Sequence, residues 1–264
     1  MKEYVLNNIE QIPLNSGKPD NICNFLLFIE KLEVEDFENY LPKIESKILK
    51  NLNVYSKENL VLILYTLSKY RRFDKNVWKD IYNLLVDKIM LLDMQHASKL
   101  LLGLVMTTSM ERNILSDEQL NKIYDEIFKN IEKNINDLKY LDTFRILISL
   151  TKKPISLKRV SEKVWLKLQQ NFRENINYFD MYQISQITLL LCEIPYIDPA
   201  VYKVIEQEIL KEYLTNIDEI IKNGGENMNA TALLDDLSKV AFALAISRQG
   251  SAYFWNSLIK AYIK

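Results

Sequence analysis

Aromatic residues recur along the chain roughly every 40 residues, and each opens a run of apolar residues with helical spacing. Further apolar side chains follow each aromatic at the third and seventh positions, and often at the eleventh. Such spacing puts them on one face of an α-helix and leaves the opposite face polar. The pattern therefore predicts an array of helical repeats. The aromatics are Phe37, Trp78, Tyr124, Trp165, Tyr202 and Trp255.

A second, more apolar segment follows each of these amphipathic helices. Its start is marked by a residue type that caps helix N-termini, and a helix that is apolar on nearly all sides is expected in an inner layer. Two of these segments share lettering, because Ser98-Lys99 and Ser238-Lys239 each precede an apolar run. The predicted caps of the inner helices are Ser56, Asp93, Asp142 and Asp180, and those of the amphipathic helices include Asp74, Ser116 with Gln119, and Asp198 before Pro199.

The predicted fold is all-α, an α-solenoid of about five antiparallel helical hairpins in one domain over residues 1–264. Residues 1–36 form a partial N-terminal unit, residues 37–251 the repeats, and residues 252–264 a terminal half unit. Irregular repeat lengths predict insertions near 106–113 and 221–229. Sustained period-two alternation, the signal of a strand, does not occur in the sequence.

Composition excludes several kinds of site. Only 5 of the 264 residues are Gly, with one His and two Cys, so a Gly-rich phosphate loop, a Cys/His zinc site and a disulfide framework are not expected. The formal net charge of −1 gives no global attraction to nucleic acid or anionic lipid. We predict a non-enzymatic protein with no metal, no cofactor and no small-molecule substrate.

Each residue type that could do chemistry has a structural explanation. His96 is expected to help cap its helix, and Cys23 and Cys192 lie in apolar runs that are typical of buried thiols. Carboxylates that could in principle ligate Mg²⁺ fit solvated faces and helix starts better; these are Glu33, Glu35, Asp36, Asp235 and Asp236.

The aromatic residues divide into two groups by position. Trp78 and Trp165 lie on the apolar stripe and are predicted to pack in the core. Tyr70, Tyr140 and Tyr182 lie nearer helix ends, where an exposed ring could stack on a nucleic-acid base.

Lysine and arginine cluster after the inner helices. Stacked repeats would align them along one edge, where they could bind RNA phosphates. The alternative is that they complement helix C-terminal dipoles, which suffices in any helical protein. The candidate RNA-binding residues are Lys69, Arg71, Arg72, Arg112, Lys152, Lys153, Lys158, Arg159 and Arg248.

The last predicted helix is rich in large apolar residues. A solenoid needs a polar cap at its end, so this helix either folds back as an imperfect cap or is covered by a partner. The candidate protein-binding residues are Tyr253, Phe254, Trp255, Leu258, Ile259 and Tyr262.

Two-helix units with an early Trp or Tyr and a Ser-centred, Leu-rich second helix resemble the heptatricopeptide and octotricopeptide repeats of RAP-domain and FAST-kinase-domain proteins. The resemblance covers roughly residues 37–262, without the RAP domain. It implies organellar RNA binding or a place in a mitochondrial ribonucleoprotein.

The predicted function is a helical-repeat adaptor in a mitochondrial RNA–protein assembly, such as the ribosome or an RNA-processing complex. It would bind other proteins and, through a local basic edge, RNA, without membrane insertion. Mitochondrial localisation comes from the resemblance alone, because the first twenty residues contain no Arg and do not look like a transit peptide. The alternative is a protein–protein scaffold of a cytosolic or membrane-associated complex that does not contact RNA.

Overall fold

The computed structural model describes residues 23–26, 28, 45–46, 48, 52–70, 75–110, 114–152, 155–194, 196–215 and 230–263. These residues form α-helices and short 3₁₀ turns, and none of them lies in a β-strand. The protein is therefore all-α, as the sequence predicts.

Ten α-helices have both ends within these ranges. They are α1 (Lys57–Lys69), α2 (Lys75–Leu85), α3 (Met94–Met110), α4 (Asp117–Lys133), α5 (Tyr140–Thr151), α6 (Glu162–Glu174), α7 (Met181–Leu191), α8 (Pro199–Ile209), α9 (Ala230–Ile246) and α10 (Ala252–Ile263). A π-helical turn, Leu210–Leu214, extends α8. Most of the first predicted run, from Phe37 to Ile44, and the predicted cap Asp74 lie outside the described residues.

Most predicted helix starts are confirmed by hydrogen bonds. The Ser56 hydroxyl accepts from the Asn59 amide, and Ser116 forms a reciprocal capping box with Gln119. The Asp93, Asp180 and Asp198 carboxylates accept backbone amides at the starts of α3, α7 and α8. Polar side chains therefore satisfy backbone donors that the first turn of a helix leaves unpaired.

The predicted cap at Asp142 is wrong, because α5 already begins at Tyr140. Asp142 lies inside the first turn, where its carboxylate accepts the Lys139 backbone amide at 3.4 Å. The carboxylate is buried and also pairs with Arg145 at 3.1 Å. An acidic residue at the third helical position does what Glu or Gln does in a capping box, so its position in the sequence mimics a cap.

The chain divides into two compact units. The first contains the residues up to Asp137 together with Lys152–Ile155, and the second contains Leu138–Thr151 and Ser156–Lys264. In the first unit α1 packs against α2 and α3, and α3 packs against α4. Gly103 on α3 allows the close approach of α3 to α1, because a Cβ at this position would lie 3.3 Å from the Tyr65 Cα atom on α1. Trp78 on α2 and Tyr124 on α4 are buried in this unit.

In the second unit α7 packs against both α5 and α9. The amphipathic helix α6 contacts α5 and α8, and α10 contacts the π-helical turn after α8. Trp165 is fully buried here, so the prediction that Trp78 and Trp165 belong to the core is confirmed.

The two predicted insertions have different outcomes. Residues 106–110 are the last turns of α3 rather than a loop, because the helix continues to Met110. Residues 111–113 and 221–229 lie outside the described residues.

Candidate binding surfaces

The basic residues predicted to bind RNA are only partly described. Lys69 and Lys152 in the first unit are exposed, as are Lys158 and Arg248 in the second, whereas Arg159 is half-buried. The Lys69 ammonium lies 4.8 Å from the centroid of the Tyr65 ring, so part of its charge is used within the fold. The remaining candidates, Arg71, Arg72, Arg112 and Lys153, lie outside the described residues.

Arg248 has an unusual backbone conformation. Its φ is 54°, and among the described residues it is the single non-glycine with positive φ. It follows α9 at the position where a helix terminator takes the left-handed conformation, and the Gln249 amide donates to the Leu244 carbonyl at 2.8 Å. Glycine normally occupies this position, because an L-residue pays a steric cost there.

An exposed apolar surface runs over α9 and α10. On α9, Phe242 and Ile246 are one helical turn apart and are 61% and 57% exposed. One turn earlier on the same stripe, Ser238 lies in hydrogen-bond contact with the Tyr262 hydroxyl of α10, which also donates to the Leu234 carbonyl. These bonds join the exposed stripe of α9 to the C-terminal end of α10. We call this the α9–α10 surface: Phe242, Ile246, Tyr253, Ile259, Tyr262 and Ile263.

The structure corrects two of the predicted protein-binding residues. Phe254 and Leu258 are buried, because they are on the face of α10 that packs into the second unit. Trp255 is half-buried and covers Gly250, where φ is 99° and a Cβ would lie 2.8 Å from the indole nitrogen. Tyr253, Ile259 and Tyr262 are exposed, as predicted.

Tyrosines near helix starts are exposed in the second unit. Tyr140 and Tyr178 stack with ring centroids 5.0 Å apart, and Tyr178 is 63% exposed. Tyr182, near the start of α7, is half exposed, and the Lys239 ammonium lies 6.0 Å from its ring centroid. Of the three tyrosines predicted to lie near helix ends, Tyr140 and Tyr182 are exposed and Tyr70 is half-buried, and base stacking stays a prediction. The exposure of Tyr178 was not predicted, although Tyr178 lies next to a helix cap and this position near a helix start is the signal that Tyr140 and Tyr182 also carry.

Asparagine side chains join consecutive repeats, which was not predicted from the sequence; Asn130 is buried and Asn171 is half-buried. The Asn130 side-chain amide of α4 donates to the carbonyls of Ile89 and Leu92, at 2.9 and 3.0 Å. In the next amphipathic helix, the Asn171 amide donates to the Leu138 carbonyl at 3.4 Å. Both asparagines stand six residues after the repeat aromatic.

A second asparagine follows four residues later, as the C-cap of each of these helices. Asn134 and Asn175 donate to the backbone carbonyls of Asn130 and Asn171. The Asn-x-x-x-Asn pattern, which recurs in these two repeats, could have indicated these contacts from the sequence. The same two sequence positions after Tyr202 are Glu208, in α8, and Glu212, in the π-helical turn that follows. A carboxylate cannot donate to a carbonyl.

The Ser-Lys dipeptide that two inner helices share makes the same kind of contact in both. Lys99 on α3 and Lys239 on α9 each lie with the ammonium 6.0 Å from a tyrosine ring of the inner helix against which they pack. Lys239 also pairs with the Asp235 and Asp236 carboxylates, at 2.6 and 2.9 Å.

The residues weighed for catalysis have structural partners. His96 Nδ1 lies 2.8 Å from the Asp93 carboxylate at the start of α3. Asp236 is buried and accepts the Ser185 hydroxyl at 2.8 Å, so it joins α9 to α7 rather than lying on a solvated face. Glu33, Glu35 and Asp36 lie outside the described residues.

The two thiols also have neighbours within the fold. Cys23 is buried, and Cys192 is half-buried with its sulfur 3.4 Å from the Ser247 hydroxyl oxygen. The Ser247 hydroxyl donates to Tyr202 at 2.8 Å. Burial is the main cause that raises the pKa of Tyr202 to about 12, and it keeps the phenol neutral.

Within the described ranges, no group of three His, Cys, Asp or Glu side chains could hold a metal ion. In the same residues, no helix is both long enough and apolar enough to cross a bilayer. Compared with protein-family models and with curated proteins, the chain matches none.

Proposed function

We propose that the chain is a non-enzymatic helical-repeat adaptor, an α-solenoid of about five hairpins that binds other proteins. The α9–α10 surface carries the proposal. It has six large exposed apolar side chains on two helices that the Tyr262 hydroxyl joins, whereas singly scattered exposed apolar residues need no explanation. A contiguous exposed apolar patch is one of the features that mark a protein-binding site.

The proposal also includes a subsidiary contact with RNA. Arg248 supports this contact, because the chain has a cation at a position where glycine would adopt the left-handed conformation at a lower steric cost. Residues in strained backbone conformations cluster at functional sites. Lys158 is an exposed cation of the same unit. The resemblance to heptatricopeptide and octotricopeptide repeats is the reason for assigning the adaptor to a mitochondrial RNA–protein assembly.

Co-purification from the cells that make the protein tests the protein-binding role. The double variant Phe242→Glu/Ile246→Glu puts two charges on the α9–α10 surface without altering a buried residue. We expect it to lose specific proteins that the wild type retains. Leu91→Glu, which alters an equally exposed apolar residue of the first unit, is the matched control and should retain them. An identical set of proteins from both variants would contradict the proposal.

A salt titration of RNA binding tests the second contact. A phosphate-binding edge loses affinity steeply with salt, by about one unit of log–log slope for each phosphate. Reversing the charges of Arg71, Arg72, Lys152 and Lys153 should remove most of that slope, and Lys158→Glu with Arg248→Glu should reduce it further. If the wild type does not bind RNA at about 50 mM salt, the adaptor contacts proteins alone.

A further inference from the structure

The inner helices of the second unit, α7 and α9, pack side by side and run in the same direction. The Ser185 hydroxyl on α7 donates to the Asp236 carboxylate on α9 at 2.8 Å. At the end of α7, the Cys192 thiol donates to the Ala243 carbonyl at 3.4 Å. Both contacts join residues that are 51 apart in the chain, so the two helices are parallel. Ser185 and Cys192 therefore mark the face of α7 on which the next inner helix packs.

Three serines align the inner helices with one another. Ser98 on α3 and Ser185 on α7 each follow an Asp-Met pair at the same distance, and Ser98 and Ser238 on α9 each precede a lysine. The structure supports the alignment of α3 with α9. Gly103 and Ala243, each five residues after the serine, both lie at the close contact with the preceding inner helix. The three helices can therefore be compared position by position.

The face of α9 that corresponds to the receiving face of α7 is open to solvent. Ser238 and Ala245 occupy the two positions at which α7 contacts α9, and both are exposed. Phe242 lies between them on the same face of the helix. The exposed residues of α9 from 238 to 246 are all uncharged, which suits an apolar helix better than a phosphate backbone.

The same positions of α3 are buried. Ser98 and Val105 are fully buried, and Leu102, at the position of Phe242, is 8% exposed. Exposure is therefore not a general property of this face of an inner helix. It distinguishes α9, which is the last inner helix among the described residues.

We infer that a partner protein supplies a further inner-type helix, apolar on nearly all sides, which packs parallel to α9 over Ser238, Phe242 and Ala245 as α9 packs on α7. An extended segment would leave backbone N–H and C=O groups unpaired against apolar side chains, whereas a helix satisfies its own. The inference rests on the proposed function, because it names the kind of segment that binds beside the α9–α10 surface.

Photocross-linking with mapping of the adducts tests the inference. A benzophenone side chain replaces Ser238 or Ala245 of the full chain, in the cells that make the protein, and mass spectrometry identifies the partner residue that each position attaches. The two positions are seven residues, or about two helical turns, apart. A parallel helix rises by the same distance per residue, so the attached partner residues should be about seven apart and in the same order.

Other outcomes separate this inference from the proposed function. An extended strand covers the same distance in about three residues. Partner residues about three apart, or in the reverse order, would overturn the inference and leave the protein-binding role in place. Adducts with a second copy of this chain alone would also overturn it. No adduct from either position would contradict both the inference and the proposed function.

A larger residue on the open face separates a closely packed helix from general apolar attraction. The contact of α9 with α7 is close at Cys192, so a larger side chain at the equivalent Ala245 should hold a partner helix away. Ala245→Leu, with the benzophenone at position 238, is expected to lower the adduct yield about tenfold, although it adds apolar surface.

The matched control is Ala200→Leu, which makes the same change at an exposed position of α8. It should give the wild-type yield of the adduct from position 238. Both variants should keep the wild-type circular dichroism spectrum, because neither alters a buried residue. A yield from Ala245→Leu that equals or exceeds that of the control would overturn the inference, since general apolar attraction would then suffice.

Discussion

Arg248 ends α9 in a backbone conformation that glycine adopts more easily. The helix needs a left-handed residue there so that the Gln249 amide can reach the Leu244 carbonyl. The steric cost for a non-glycine residue is about 1–2 kcal/mol. One side chain is therefore kept at the expense of stability, and it is exposed to solvent.

Arg248→Gly is expected to stabilise the protein by about 0.5–1 kcal/mol, because relief of steric strain exceeds the greater chain entropy of glycine in the unfolded state. Urea unfolding measures the change. Lys158→Gly, at an exposed position with ordinary helical φ, should instead lower the free energy of unfolding. Equal losses in both variants would contradict the assigned strain.

Protonation of the Asp93 carboxylate at the start of α3 makes the stability of the protein depend on pH. Burial acts to raise the pKa of Asp93, but hydrogen bonds from the His96 amide and ring offset it, so the pKa lies below its ordinary value of 3.8. A lowered folded pKa stabilises the protein above the unfolded pKa, and that stabilisation is lost as the pH falls through the folded pKa.

Asp93→Asn keeps a cap acceptor that does not titrate. The stability advantage of the wild type over this variant should therefore shrink as the pH falls from about 5 to about 2, as measured by urea unfolding at each pH. An advantage that stays constant over this range would show that Asp93 does not contribute through its charge.

Helix ends and helix contacts differ in how well sequence predicts them. Caps at Ser56, Ser116 and Asp180 follow from local chemistry, because acceptor and amide lie three residues apart. The cap predicted at Asp142 was wrong, since the same residue type occurs at the cap and at the third helical position. Contacts such as Asn130 to Ile89 join residues 41 apart, and only their recurrence in the next repeat could have revealed them.

Asn130→Ala should cost about 1–3 kcal/mol, because the buried carbonyls of Ile89 and Leu92 lose their side-chain donor. Thermal or urea unfolding gives the value. The exposed residue Asn136 in the same repeat provides the control, since Asn136→Ala should change the free energy of unfolding by no more than about 0.5 kcal/mol. A similar small change for Asn130→Ala would mean that the buried amide does not stabilise the contact between repeats.

At the level of the whole molecule, the candidate functional features are binding surfaces rather than catalytic groups. Sequence predicted the all-α class, the buried tryptophans and the apolar last helix, because each depends on periodicity. It assigned Phe254 and Leu258 to the surface because the number of apolar residues does not tell which helix face packs inward. It missed Phe242 and Ile246, whose exposure depends on which neighbours α9 has in the folded second unit.

Site-specific photocross-linking tests the adaptor role most directly. A benzophenone side chain replaces Phe242 or Tyr253 on the α9–α10 surface, or Leu91 as an equally exposed control, in cells that make the protein. We expect positions 242 and 253 to give covalent adducts with the same partner polypeptide and position 91 to give none. Adducts with RNA alone, no adduct at all, or the same adducts from all three positions would contradict the adaptor role.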